Sequence, residues 1–130
     1  MSVSAVVVSH GHAAELEGTL PALASQVDEL VVVSNFPGSV GPVPADARVL
    51  ENERPQSFAA NVNRGIVETH GTFVLVANPD AVPEPGAVQA LAEFAAAHRG
   101  CGVAGPQMRY SDGAWQPSRR RFPTVSGTLV

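Results

Sequence analysis

Phe73-Val74-Leu75-Val76-Ala77-Asn78-Pro79-Asp80 is the stretch on which the reading of the fold turns. The apolar run from Phe73 to Ala77 has no polar alternation, which predicts a strand buried on both faces in the middle of a parallel sheet. Pro79 cannot donate to a ladder and biases Asn78 towards an extended conformation. The strand therefore ends here, with Asp80 held just beyond its carboxyl end. In open α/β sheets that is where ligands bind.

On the amino-terminal side of this run, Ser57 opens a helix with Phe58, Val62 and Ile66 on one face and Gly71 as its stop. On the other side, Pro83 and Pro85 bracket a turn before an Ala-rich helix from Ala87 to His98, ended by Gly100. Gly102 to Pro106 reads as a last short strand, and Asp112-Gly113, between Tyr110 and Trp115, is a hairpin signal. Nearer the amino terminus, Val3 to Ser9 reads as a buried strand, followed by the polar loop His10-Gly11-His12. A helix from Ala13 to Gln26 carries Leu16, Leu20, Leu23 and Val27 on one face, and Pro21 within it predicts a kink or a late start. Leu30 to Ser34 and Ala47 to Leu50 are further strands, with Asn35 to Ser39 a loop. This alternation predicts a three-layer α/β fold, a mostly parallel sheet with helices on both faces.

A chain of 130 residues is one domain of ordinary size. Its net charge of −4 gives no support to nucleic-acid binding. No apolar run is long enough for a membrane span. One cysteine, Cys101, excludes an internal disulfide framework, and no basic leader precedes the first strand; the expected location is cytoplasmic, with the inner face of the membrane as the other option.

Several chemistries can be set aside. Neither the Gly-x-Gly-x-x-Gly nor the P-loop fingerprint is present. Cys101, at a strand start, reads as a buried structural thiol. His10 and His12 would project the same way from an extended segment, as metal ligands do, but no third ligand lies nearby, so a polar loop is the simpler reading. Other residues stay open between roles. Asp80 is a ligand group or a helix cap. Asn61 and Asn63 are ligand-facing or surface positions. Trp115 packs or stacks on sugar, and Arg119, Arg120 and Arg121 form a solvated run near the chain end or part of a site.

Taken together, Val6 to His10, Val31 to Asn35, Arg54 to Ile66, Gly71 to Asp80, Val103 to Pro106 and Ser118 to Thr124 resemble, in order and spacing, the nucleotide-binding half of family 2 glycosyltransferases. These have the GT-A, Rossmann-like fold, and the likeness is to the rhamnosyltransferase-like branch. The resemblance covers nearly the whole chain, and it implies a role in polysaccharide biosynthesis. It implies a single donor-nucleotide-binding domain over residues 1–130, ending before the acceptor-binding half, with the catalytic base beyond Val130. The implied function is binding of a nucleoside diphosphate sugar for transfer of the sugar, with inversion, to the hydroxyl of a carbohydrate or lipid-linked acceptor.

By the same resemblance, Ser9, His10, Ser34 and Asn35 hold base and ribose, and Asn61, Asn63 and Asn78 line the nucleotide side. Asp80 matches the last acid of the family's Asp-x-Asp signature and would hold Mg²⁺ or Mn²⁺ on the diphosphate. The sequence departs from the family at Ser34, where many relatives have Asp, at Ser57, where Gly is usual, and at Asn78, which replaces the first acid. Two other function classes remain: a non-catalytic nucleotide-sugar binding or assembly module, and a sugar-nucleotide nucleotidyltransferase. The latter usually has a basic Gly-rich loop after the first strand, and Ser9-His10-Gly11-His12 lacks the basic residue. Apolar residues Phe122, Val125 and Leu129 near the chain end favour a homo-oligomer.

Overall fold

The computed structural model describes residues 1–118; Arg119, Arg120, Arg121, Phe122, Val125 and Leu129, and the expectations attached to them, lie outside the described residues. In chain order the elements are β1 (Val3–Ser9), α1 (Ala13–Ala24), β2 (Glu29–Ser34), β3 (Ala47–Glu51), α2 (Phe58–Val67), β4 (Phe73–Ala77) and α3 (Ala87–Ala97). A small hairpin of β5 (Met108–Arg109) and β6 (Trp115–Gln116) follows. The four longer strands form one parallel sheet in the order β3-β2-β1-β4.

Alternation along β1 and β2 supplies a core on each face of the sheet. Ala5, Val7, Leu30 and Val32 pack against Leu16, Leu20 and Leu23 of α1. On that same face Val3 meets Val88 and Ala92 of α3. Val6, Val31 and Val33 form the opposite face, over which α2 lies. Burying each of the valine and leucine side chains contributes about 1.5–3 kcal/mol. The expected three-layer architecture, a mostly parallel sheet with helices on both faces, is what the chain adopts.

Several expectations are corrected. The strand buried on both faces at the centre of the sheet is β1, with β2 beside it; β4 is an edge strand among the described residues, and Val74 and Val76 are 37% and 42% exposed. The reason is that α2 lies over β1 and β2, so among the described residues the Val74–Val76 face of β4 is left largely uncovered.

In α2 the buried residues are Asn61 and Gly65, whereas Phe58 and Ile66 are exposed. A Cβ on Gly65 would stand 2.4 Å from Val6 Cγ1, so the helix is drawn onto the sheet along its small residue and not along its apolar ones. Ser57 caps this helix, its hydroxyl accepting from the Ala60 amide at 3.2 Å. The helix ends at Glu68, before Gly71, which instead packs against Ser4.

α1 starts at Ala13 and runs through Pro21, because its buried leucines hold it to the sheet against the lost hydrogen bond. Gly102 to Pro106 forms no strand, and Cys101 lies half-buried in a loop. The hairpin forms as expected, with Gly113 at φ 85 and the Tyr110 amide donating to the Ala114 carbonyl at 2.8 Å.

Candidate functional site

Parallel register brings the carboxyl ends of the strands to one side of the molecule: Ser9 lies beside Ser34, and Val7 beside Ala77. The loops leaving these ends enclose a cleft of about 520 Å³. His10 and His12, from the loop after β1, and Glu15, from the first turn of α1, line it. Asn35 follows β2, while Asn78, Pro79 and Asp80 follow β4. Gln56 and Phe58 close it from the start of α2.

Beneath this cleft lies a buried knot of amides. Asn35, Asn52 and Asn61 are 5%, 5% and 1% exposed. Asn35 Oδ1 accepts from Asn52 Nδ2 at 2.7 Å, Asn61 Nδ2 at 2.9 Å and the Gln56 backbone amide at 2.9 Å. Asn52 Nδ2 also donates to Asn61 Oδ1 at 2.6 Å, and Arg64 donates to Asn52 Oδ1. Asn35 Nδ2 donates to the Gln56 carbonyl at 3.1 Å and meets His10 Nδ1 at 3.1 Å. Every polar atom of the knot is thereby partnered, the condition under which a buried polar group ceases to be a liability. The imidazole of His10 is held from its side by Phe36, the ring centroids 4.4 Å apart.

His10, Asn35, Asn78 and Asp80, all expected at the site, thus meet in one cleft. Ser9 and Ser34 are fully buried beneath it. The Ser9 hydroxyl accepts from the His12 amide at 3.4 Å, and the Ser34 hydroxyl donates to the Phe36 carbonyl at 2.8 Å, so each shapes its loop. Asn61 belongs to the knot, and Asn63 is exposed on α2 without lining the cleft. His12, for which a polar loop was the simpler reading than a metal ligand, and Glu15, Gln56 and Phe58 are wall residues that the sequence did not assign to the nucleotide site. The hydrophobic face given to Phe58 concealed it, although an aromatic at a helix start directly after a cap was a usable signal.

Asp80 lies in a turn closed by the Ala81 amide donating to the Asn78 carbonyl at 3.1 Å. The next helix, α3, has Gly86 as its N-cap with no side-chain cap, so the capping role for Asp80 is excluded. Among the described residues its carboxylate has no hydrogen bond or ion pair. No group of three or more His, Cys, Asp or Glu suited to a metal occurs among them either. A lone hard carboxylate fits a cation that draws its remaining ligands from phosphate oxygens and water, as Mg²⁺ and Mn²⁺ do.

A second charged cluster marks the opposite end of the sheet. Glu29 accepts from the Ser4 hydroxyl at 2.6 Å, Arg48 at 2.6 Å and the His70 amide at 2.9 Å. The Ser4 hydrogen bond, then those from His70 and the Arg48 charge, outweigh desolvation and hold its carboxyl down to about 2 from an ordinary 4.5. This cluster ties β1, β2, β3 and the segment leading into β4 together, away from the cleft. No helix among the described residues is long and apolar enough to cross a membrane.

The family described as Glycosyl transferase family 2 matches residues 4–129. No curated protein matches the chain. Among solved structures, S. aureus TarS superposes with a TM-score of 0.60 at 19% identity, over 85% of this chain and 24% of that one. TarS 1-349 in complex with UDP gives a TM-score of 0.60 at 19% identity, covering 85% of this chain and 40% of that one. Its complex with UDP-GlcNAc gives 0.58 at 18% identity, covering 85% and 38%. At such identity the likeness is one of fold. The chain spans between 24% and 40% of the length of these structures.

Proposed function

The chain belongs to glycosyl transferase family 2, and on that premise we propose that its cleft binds the nucleoside diphosphate of a sugar donor. The observation that carries the reading is the Asp80 carboxylate at the carboxyl end of β4, without a partner among the described residues and sharing one cleft with His10, His12 and Asn35. A carboxylate at the mouth of a sheet is suited to a cation shared with a diphosphate. Mg²⁺ or Mn²⁺ held there would neutralise the departing diphosphate. His10 and Phe36 offer a tilted aromatic pair beside the cleft for a base or ribose.

The reaction assigned to the whole protein is transfer of the sugar, with inversion, to an acceptor hydroxyl. This chain is its donor-binding part, with the acceptor groove and the base outside the described residues. Asn78 in place of a first acid supports the rhamnosyltransferase-like branch. The solved structure with UDP is of TarS, and it supports a nucleoside diphosphate as the first ligand to try.

Calorimetric titration with uridine, thymidine and guanosine diphosphates, with Mn²⁺ present, tests the reading. At least one should bind, and Asp80→Asn should weaken it on the order of tenfold or more, the loss of one charge-assisted contact, with melting temperature unchanged. No heat from any of the three nucleotides would overturn the donor-site reading. Equal affinity and equal metal dependence in Asp80→Asn would overturn the metal role alone.

A further inference from the structure

His10 and His12 both stand on the cleft wall, and each has one ring nitrogen already engaged within the protein. For His12 the engaged atom is Nδ1, which faces the backbone amide of His10 at 2.9 Å. A backbone amide can only donate, so His12 Nδ1 accepts. In a neutral ring the proton then sits on Nε2.

The His10 ring is fixed through the amide knot. Asn35 has one side-chain atom against the backbone amide of Gln56 at 2.9 Å and the other against the carbonyl of Gln56 at 3.1 Å. The first must be its oxygen and the second its nitrogen, because the backbone atoms have fixed roles. The same direction is imposed from the far end, where the Arg64 guanidinium, which only donates, fixes the oxygen of Asn52 and sends the Asn52 nitrogen towards Asn61 and Asn35. The nitrogen of Asn35 carries a second hydrogen, and the atom it meets is His10 Nδ1, at 3.1 Å.

We infer that Asn35 and the His10 backbone lock both imidazoles as Nε2–H donors, so that His10 and His12 bind oxygen acceptors of the ligand and do not ligate a metal. Coordination through Nε2 needs a lone pair there, which moves the ring proton to Nδ1 and sets N–H against N–H at both rings. The cation of this cleft is therefore left to Asp80 and the ligand's own oxygens. The two imidazoles serve the uncoordinated oxygens, whether phosphate or base carbonyl. Asn35 is a positioning residue in this arrangement. Only the identity of the ligand rests on the donor-site reading; the tautomers are a property of the free chain.

Long-range proton–nitrogen NMR correlation at about pH 8, above the ordinary imidazole range, reads the tautomers directly. His10→Gln and His12→Gln assign the rings. Both rings should appear as Nε2–H in the free protein, and either one found as Nδ1–H overturns the inference without any variant being needed. Asn35→Asp accepts but cannot donate, so it should turn His10 to Nδ1–H and leave His12 as it is. A His10 ring unchanged in a folded Asn35→Asp protein also overturns it.

Added Zn²⁺ should give no metal-bound Nε2 signal at either ring, and such a signal would sink the exclusion of ligation. Uridine, thymidine and guanosine diphosphates supply the ligand arm, with inorganic pyrophosphate separating phosphate from base contacts. A nucleotide that binds without moving either Nε2–H resonance counts against the oxygen-acceptor role. If none of them binds, the donor-site reading fails, while the tautomer and zinc results still decide the lock.

Discussion

Removing the Asn61 side chain takes one donor from Asn35 Oδ1 and one acceptor from Asn52 Nδ2, in a place that is 1% exposed. Buried groups left short of partners cost about 1–3 kcal/mol, so Asn61→Ala should lower stability in urea denaturation by that amount. Asn61→Asp should cost at least as much, because its carboxylate would face two acceptors, Asn35 Oδ1 and the Gln56 carbonyl, where an amide now donates. The sequence reading located Asn35 and Asn61 near the site but could not tell a ligand-facing amide from a supporting one. Both roles use the same residue type, and the choice is made by Asn52, which follows β3 and bridges Asn35 to Asn61, with Arg64 of α2 fixing its orientation; no local pattern connects Asn52 to either of them. Asp80 was legible because Pro79 fixes the backbone before it, which is a local effect.

The placing of α2 depends on one small residue. Gly65 would ordinarily weaken a helix by about 1 kcal/mol relative to alanine. Here a Cβ would come within 2.4 Å of Val6 Cγ1 and 3.2 Å of Val33 Cγ2, two valines that are fully buried on neighbouring strands. Gly65→Ala should therefore destabilise the fold by about 1–3 kcal/mol despite the gain in helix propensity, read as a lower urea midpoint. A shifted α2 would also move Asn61, so nucleotide affinity should fall with it. β1 was legible to the residue, since Val3–Ser9 is a run of β-branched and small residues between clear boundaries. Which side of α2 is buried was not. Phe58 and Ile66 have the apolar period, yet close approach to Val6 is decided by volume and not by hydropathy. The same limit put β4 in the centre, for an apolar run of this length describes its residues and not what lies above them.

Across the whole molecule the sheet separates two charged ends. Ser4 pairs with Glu29 near the start of β1, and Ser9 pairs with Ser34 at its finish, which at ~3.3 Å per residue sets the ends roughly 17 Å apart. Sites so separated, with no shared partner, should act independently. Glu29 has its folded carboxyl at about 2 against an ordinary 4.5. Since the folded value is the lower one, its contribution is present in full above the unfolded value and is lost as pH falls from about 4.5 towards about 2. Glu29→Gln removes the charge but keeps the size, so it should lower stability at neutral pH and flatten that acid window, measured by urea unfolding at several pH values. Nucleotide affinity should stay that of the parent, because nothing in the Glu29 cluster lines the cleft. Asp80→Asn should do the reverse, and the double variant should show each loss unaltered. A Glu29→Gln protein that unfolds with the same acid profile as the parent would show that Ser4, Arg48 and His70 hold the carboxylate in place without stabilising its charge.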